Sequence, residues 1–270
     1  MRKIEGKELR EIQIDILKYI DMICRENHIE YFLIGGSLIG AVRHNGFIPW
    51  DDDIDIALTK DNYEKLVNIL NQNKDSEYLL LDHSKQKDYF YPFAKLVNTK
   101  TVMRENNFKS IKNYGVHVDI FCYTGLPNQA RERKKFCKKI KSNQRLIFYH
   151  NLKKIPEQNI MKKIIKQIIR YYTNFIGLER ILEKNRRLNN QYNIKESKYA
   201  ISNWPVYLIE HEIQETKNLR GIENHQFENL TVEIPKNYDM ILKTTFGDYM
   251  TPPPPEKRVA RHDIEAYWKD

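Results

Sequence analysis

Four aspartates are crowded into one short stretch of the chain, downstream of a glycine-glycine-serine step. The aspartates lie within five residues: Asp51, Asp52, Asp53 and Asp55. The Gly35-Gly36-Ser37 step ends a short apolar segment. Paired carboxylates suit Mg²⁺, a hard cation that prefers oxygen ligands. Backbone N–H groups at a helix start hold phosphate. Together these features predict phosphate chemistry that depends on a divalent metal.

A strand, a helix and a second strand are needed to position these residues. The apolar residues 31–34 suit a buried strand, and Ser37 suits the N-cap of a helix over residues 38–44. Residues 53–58 read as the next strand. Because side chains alternate along a strand, Asp53 and Asp55 share one face while the isoleucines between them enter the core. The pattern thus predicts a metal-binding pair of carboxylates beside a space that can hold a phosphate.

Other phosphate and metal motifs are absent from this region. An EF-hand loop would require glycine at Ile56 and glutamate at Asn62. No Walker lysine motif follows Gly36, and there is no GxGxxG fingerprint. A glycine-rich turn beside a solvated acidic loop is the alternative that remains.

The string GGSLIGAVRHNGFIPWDDDIDIAL, residues 35–58, resembles the LicD family of phosphorylcholine transferases. That family is related to fukutin-related protein and lies in the nucleotidyltransferase superfamily. Three further blocks, residues 91–103, 115–127 and 234–262, resemble the family's other conserved segments. One departure is visible: Cys122-Tyr123-Thr124 stands where the family often has Pro-Leu-Asp, so no role passes to Thr124.

The resemblance implies an α+β fold and a set of metal ligands. The fold would be a polymerase-beta-like nucleotidyltransferase core, a mixed sheet with flanking helices, plus a basic helical insert. Asp53, Asp55 and Asp119 would be catalytic, with Asp119 either ligating metal or accepting the proton of the attacking hydroxyl. The cation would be Mg²⁺, with Mn²⁺ as a substitute. The implied ligands are Asp51, Asp53, Asp55 and Asp119.

The implied reaction moves phosphocholine from CDP-choline to a sugar hydroxyl of a teichoic acid or related cell-surface glycan precursor, and CMP leaves. The backbone of Gly35, Gly36 and Ser37 would bind phosphate. Candidate phosphate contacts on side chains are Arg43, His44 and Lys95. Choline, a quaternary ammonium, needs an aromatic or acidic pocket. Candidate walls for that pocket are Trp50, Tyr89, Tyr91 and Trp204.

Three alternatives stay open on the sequence. The donor could be another CDP-alcohol such as CDP-ribitol. The same site could instead attach a whole nucleotide to a small molecule, which would release diphosphate rather than CMP. A third possibility is a non-enzymatic basic module with a dead nucleotidyltransferase core.

Charge divides the chain into two parts. The 270 residues contain 41% hydrophobic and 30% charged residues, as in soluble globular proteins. Residues 126–198 carry 20 Lys and Arg against 5 Asp and Glu, or +15, which leaves −6 for the rest of the +9 total. We expect a catalytic core over residues 1–125 and 199–270. The insert, 126–198, should form helices over 130–150, 159–176 and 178–192 that contact the acceptor or an anionic membrane, unless its basic side is merely solvated.

Compartment and partners follow from what the sequence lacks. No stretch is long and apolar enough to span a bilayer, and the first residues have no secretory signal. Three scattered cysteines indicate a reducing compartment. We expect a cytoplasmic enzyme, peripheral at the inner membrane face, with a lipid-linked glycan acceptor and no nucleic acid. The tract at 251–255 should form an extended loop over the catalytic face, followed by Lys257, Arg258, Arg261 and His262.

Overall fold

The computed structural model describes residues 1–72, 77–155, 157–205, 208–259 and 263–270. These residues form strands and helices in a mixed order. The strands are β1 (Lys3–Ile4), β2 (Phe32–Leu33), β3 (Asp55–Thr59), β4 (Tyr78–Leu81), β5 (Ala94–Asn98), β6 (Thr101–Glu105), β7 (His117–Leu126), β8 (Tyr199–Ser202), β9 (Gln214–Glu215), β10 (Ile222–Phe227), β11 (Leu230–Pro235) and β12 (Ile264–Trp268). The helices are α1 (Gly6–Glu26), α2 (Gly35–His44), α3 (Lys60–Gln72), α4 (Ala130–Asn151), α5 (Ile160–Ile176), α6 (Leu178–Asn189) and α7 (Tyr238–Phe246).

The central sheet is mixed and is organised around the long strand β7. Its main order is β2-β3-β7-β5-β4, and the far end of β7 pairs with β8, which pairs with β9. β3 runs parallel to β7, whereas the other pairs in this sheet are antiparallel. Every residue of β7 is buried. This mixed sheet with flanking helices agrees with the predicted α+β class, while its polymerase-beta-like character stays a prediction.

Helix α1 covers the core with one apolar face, as its spacing predicts. The buried side chains recur three or four residues apart: Ile12, Ile16, Leu17, Ile20 and Ile23. Fully burying a side chain of this kind contributes about 1.5–3 kcal/mol. The helix packs against β7 and β5 and therefore braces the strands that carry the site.

Two further sheet elements complete the core, and the sequence did not reveal either. β1 and β6 flank β12 in a separate antiparallel sheet. β10 and β11 form an antiparallel hairpin beside β2, where the Tyr31 N–H donates to Glu233 Oε2 at 3.2 Å. The pairing of β12 with β6 and the bond between Tyr31 and Glu233 each join segments that are far apart in the chain.

The basic stretch is helical, as predicted. Helices α4, α5 and α6 pack on one another, and Ile147 of α4 meets Ile181 and Leu182 of α6 in a small apolar cluster. Within the described residues, none of the helices combines the length and apolarity needed to cross a bilayer. The three cysteines are buried and unpaired. The boundaries of the insert as a separate unit stay a prediction.

Asn203 links strand β7 to the loop before β5. Its Oδ1 accepts from the Cys122 N–H at 3.1 Å, and its Nδ2 donates to the Pro92 carbonyl at 2.8 Å. Asn203→Ala leaves both buried backbone groups without these partners, and we expect it to cost about 2–4 kcal/mol of unfolding free energy. Urea denaturation measures the loss.

Asn224→Ala is the matched control, because its exposed amide makes a single 3.3 Å contact with Arg25. That control should change stability by no more than about 0.5 kcal/mol. Equal stability of the two variants would contradict the role given to Asn203.

Candidate functional site

Two of the predicted acids lie side by side on parallel strands. Asp55 of β3 is the register partner of Asp119 of β7, and the Asp119 N–H donates to the Ile54 carbonyl at 2.9 Å. Neighbouring strands are about 4.8 Å apart, and register partners project to the same face. The sheet itself thus brings together two carboxylates that are distant in sequence.

The remaining acids lie in a loop just before β3. One oxygen from each of Asp51, Asp52 and Asp53 falls within 4.8 Å of the others. β3 begins at Asp55, so Asp53 precedes the strand instead of lying in it as predicted. Asp52 was not predicted as a ligand, because the strand predicted to present the acids began at Asp53.

Helix α1 holds this acidic loop in place. Arg10 donates to the carbonyls of Pro49 and Asp51 at 2.7 and 3.0 Å, and Gln13 donates to the Asp52 carbonyl at 2.9 Å. Gln13 is buried. These bonds to backbone carbonyls fix the path of the loop without involving its carboxylates.

The start of helix α2 faces the same acids. The helix begins at Gly35, with Ile34 as the N-cap residue. Gly35 has a φ of +59°, which favours glycine. A Cβ on Gly36 would lie 2.4 Å from Asp51 Oδ2, so only glycine lets that carboxylate approach the helix. The first N–H groups of a helix lack intrahelical partners, and they suit a carboxylate or a phosphate.

Ser37 does not cap α2, and that prediction was wrong. The serine lies within the first turn, and its buried hydroxyl accepts from the Asp55 N–H at 2.9 Å. The helix starts before the serine, at Gly35, which adopts a left-handed backbone conformation. The side chain of Ser37 does not determine where the helix begins. Ser37 therefore joins α2 to β3, and among the described residues it is not part of the cleft lining. A contact between the Ser37 backbone and phosphate stays a prediction.

Lys95 is buried against Asp119 and does not point into solvent. Its Nζ donates to both Asp119 oxygens, at 2.6 and 2.8 Å, and lies 2.9 Å from His117 Nε2. The ammonium also lies 4.7 Å from the centre of the Tyr91 ring. A lysine has three N–H donors, and the two bonds to Asp119 and the bond to His117 use all three. A phosphate contact by Lys95, which stays a prediction, would require one of these bonds to break.

His117 completes this network as a neutral ring. Its Nδ1 lies 2.8 Å from the Gly115 carbonyl, so this nitrogen carries the proton and Nε2 accepts from Lys95. Burial, together with the Lys95 charge, lowers the pKa of His117 to about 4. The ring therefore orients Lys95 without adding charge to the site.

Asp55 carries an electrostatic cost from this crowding. Burial raises its pKa well above the usual value, and the charges of Asp53 and Asp119 raise it further. The Lys95 charge opposes the shift but is outweighed. A bound cation favours ionised carboxylates in such a cluster. The donor set, all carboxylate oxygens beside a glycine-lined helix start, fits Mg²⁺.

A cleft of about 750 Å³ opens over these residues. Its lining combines the acids with the glycines of α2 and a large aromatic surface. The aromatic members are Trp50, Phe90, Tyr91, Phe93, Phe108, Phe121, Tyr123, Phe148, Trp204, Phe246 and Tyr249. Three of the four aromatic residues predicted as choline walls are thus in the cleft. The fourth, Tyr89, is fully buried, donates to the Phe93 carbonyl at 2.8 Å and belongs to the core.

Glu105 also lines the cleft, and sequence reasoning missed it. Its two carboxylate oxygens accept from the hydroxyls of Tyr91 and Tyr114, with the Tyr91 contact at 2.6 Å. No salt bridge to Glu105 is present in the part of the chain that the structure describes. A strand-end glutamate has no sequence signature, so only the fold could reveal this group.

Basic groups lie on another part of the cleft. Arg43 lines it and donates to the Tyr249 carbonyl and to His44 Nε2. Arg258 lies 5.5 Å from the centre of the Trp50 ring and lowers the pKa of Arg43, after the larger effect of burial. The two guanidinium groups are therefore near neighbours and form a positive patch suited to phosphate.

The proline tract reaches this patch, as predicted. Thr251 and Pro253 line the cleft, and Arg258 Nε donates to the Pro253 carbonyl at 2.8 Å. The tract is irregular until a short 3-10 turn at Pro255–Lys257. Arg261 and His262 lie outside the described residues.

Known proteins resemble this chain, one of them over 99% of its length. The family model described as LicD/FKTN/FKRP, nucleotidyltransferase domain, matches residues 28–164, just over half of the chain. Lipopolysaccharide cholinephosphotransferase LicD of Haemophilus influenzae is 28% identical over 277 aligned residues, which cover 99% of each protein. Human ribitol 5-phosphate transferase FKRP is 42% identical over 41 residues, 15% of this chain and 8% of that protein.

The matched region contains the glycine step, the acidic loop, Lys95 and Asp119, so the family match and the geometry concern the same residues. The enzyme class follows from the family: the chain is a phosphotransferase. It belongs to the LicD/FKTN/FKRP family.

Proposed function

We propose that this enzyme transfers phosphocholine from CDP-choline to a sugar hydroxyl of a cell-surface glycan precursor, with Mg²⁺ as cofactor, on a nucleotidyltransferase-type core. The observation that carries the proposal is the parallel register of Asp55 and Asp119 beside the start of α2. A carboxylate cluster next to a helix N-terminus serves both parts of a metal–diphosphate donor.

In this proposal, Asp53 and Asp55 hold the ion, and Asp51 and Asp119 complete its ligand set. When bound, Mg²⁺ would neutralise charge on the diphosphate oxygens. The first N–H groups of α2 orient the same diphosphate. Arg43, with Arg258 as its neighbour, would pair with the remaining phosphate charge.

The acceptor hydroxyl attacks the phosphorus that bears choline, and the bond between that phosphorus and the CMP oxygen breaks. The hydroxyl proton has to leave as the new bond forms. Asp119 is either the acceptor of that proton or a metal ligand. Lys95 supports both roles, since it holds the carboxylate in one orientation through two hydrogen bonds.

The aromatic lining favours choline over a polyol as the donor alcohol. A quaternary ammonium has no N–H to donate and is stabilised by ring faces and carboxylates. Phe90, Tyr91 and Phe108 form a contiguous ring surface, with centroid distances of 4.4 and 5.8 Å, and Glu105 is hydrogen-bonded to Tyr91. Ribitol would instead need several hydrogen-bonding partners.

The acceptor is the least constrained part of the proposal. The full-length relative from Haemophilus influenzae is named for lipopolysaccharide. A teichoic acid or another lipid-linked glycan precursor presents the same chemistry, a sugar hydroxyl. The nucleotide by-product separates this reaction from nucleotide transfer to a small molecule: phosphocholine transfer releases CMP, and nucleotide transfer releases diphosphate.

Asp55→Asn and Asp119→Asn should each lower CMP release from CDP-choline by about 1,000-fold or more, because each removes a charge that acts at the reacting phosphate. Asp61→Asn is the control, since Asp61 is exposed and, among the described residues, its ion pair is with the exposed Lys195. Initial rates with CDP-choline, Mg²⁺ and a glycan acceptor measure the effect. Wild-type rates in either site variant would contradict the proposal.

Metal binding has a readout independent of turnover. Mg²⁺ at about 100 times its Kd should stabilise the wild-type protein by about 2.7 kcal/mol and raise its Tm by several degrees. Asp55→Asn should raise the Tm without metal, because it removes a buried charge repelled by Asp53 and Asp119. The same variant should lose the response to Mg²⁺. Differential scanning calorimetry tests both, and an unchanged Mg²⁺ response in Asp55→Asn contradicts the assigned ligand.

Glu105→Gln should raise the KM for CDP-choline about tenfold with little change in kcat, corresponding to about 1.4 kcal/mol of lost ground-state contact. The KM for CDP-ribitol, if it is turned over at all, should not move. Glu265→Gln is the control, because Glu265 also accepts a tyrosine hydroxyl, from Tyr267, but is not part of the described cleft lining. A preference of the wild type for CDP-ribitol would remove the choline assignment.

A further inference from the structure

Helix α5 presents its apolar face to solvent. Eight large apolar side chains on this one helix are more than half exposed, and Phe175 reaches 90%. They recur three or four residues apart and form one continuous stripe: Ile160, Met161, Ile164, Ile165, Ile168, Tyr171, Tyr172 and Phe175. Contiguous apolar surface of this extent is uncommon on a soluble monomer.

The side of α5 that packs on the protein is largely polar, with Ile169 and Ile176 as its partly buried apolar members. Lys166 forms a 2.9 Å salt bridge with Glu157, and Arg170 donates to the Lys153 carbonyl at 3.2 Å. Thr173 is the buried residue of the helix, and its hydroxyl donates to the Arg170 carbonyl at 2.8 Å. A surface helix normally buries its apolar stripe. Helix α5 therefore leaves most of its apolar surface in contact with solvent, unlike an ordinary surface helix.

We propose that the α5 apolar face, the eight residues named above, inserts into the interfacial region of an anionic lipid bilayer. An amphipathic helix with a strong moment, basic flanks and aromatic side chains lies in the plane of the interface. Lys162 and Lys163 are exposed beside the stripe, and tyrosines favour the depth of lipid headgroups. No part of this inference depends on the donor or the metal.

Charge identifies a membrane, and not a second copy of this chain, as the occupant. Residues 126–198 carry a net charge of +15, so two copies brought together through α5 would repel. The same charge attracts a surface of anionic lipid. An apolar stripe surrounded by positive charge is complementary to anionic headgroups over acyl chains.

The position of α5 connects this surface to the cleft. α5 packs against α4, and Phe148 of α4 is both 41% exposed and part of the cleft lining. Phe148 also meets Phe108 with ring centres 5.5 Å apart. A bilayer under α5 would therefore lie near the aromatic part of the cleft, where a lipid-linked acceptor would arrive without leaving the membrane.

Sedimentation with vesicles tests the proposal on the full chain. Wild-type protein should bind vesicles of phosphatidylglycerol and phosphatidylcholine in equal parts, and bind phosphatidylcholine vesicles at least about tenfold more weakly. The triple variant Ile164→Ser, Ile168→Ser, Phe175→Ser should lose at least about tenfold of the binding to the mixed vesicles. Lys162→Gln with Lys163→Gln should reduce the preference for anionic lipid.

A control that also removes three exposed large apolar side chains is Met22→Ser, Leu208→Ser, Met240→Ser, whose residues are 46%, 58% and 56% exposed. It should bind vesicles as the wild type does, and circular dichroism should show both triple variants folded. Equal vesicle binding by wild type and the α5 variant would overturn the proposal. So would a lipid-free dimer, seen by light scattering, that the α5 variant converts to monomer, because a second copy would then cover the face.

Discussion

Repulsion among carboxylates at one end of the central sheet is the constraint around which this protein is arranged. Parallel pairing of β3 with β7 fixes Asp55 beside Asp119, and the loop before β3 adds three more acids. Lys95 supplies one positive charge, and both of its carboxylate contacts go to Asp119. In the environment of Asp55, the charges of Asp53 and Asp119 outweigh that of Lys95. A divalent cation and its phosphate ligand would restore the balance.

The surrounding scaffold keeps these charges together against their repulsion. Arg10 and Gln13 bind backbone carbonyls of the acidic loop, and Ser37 binds the backbone N–H of Asp55. All three act on the main chain, so these bonds do not use the acid side chains. Glycine at residue 36 lets Asp51 approach the positive end of α2. The backbone of the acidic loop is thus fixed by groups other than its own carboxylates.

Local patterns predicted the elements of the site better than their contacts. Alternation identified the strand bearing Asp55, and the family resemblance assigned Asp119 to the same site. The register of β3 with β7 places these two residues side by side. The partner of Lys95 depends on the antiparallel register of β5 with β7, which no local pattern specifies. The pairing of β12 with β6 joins segments about 160 residues apart and escaped prediction for the same reason. Helix periodicity located α5, but amphipathicity alone did not reveal that its apolar side faces outward, because orientation depends on what packs beneath it.

The central claim is that the carboxylates around Asp55 bind a divalent cation at the start of α2. Anomalous diffraction from crystals grown with Mn²⁺ in place of Mg²⁺ tests it most directly. The account predicts a peak about 2.1 Å from oxygens of both Asp53 and Asp55, on the Gly35 and Gly36 side of the cleft. Clear density for these aspartates with no anomalous peak between them, at saturating Mn²⁺, would contradict it.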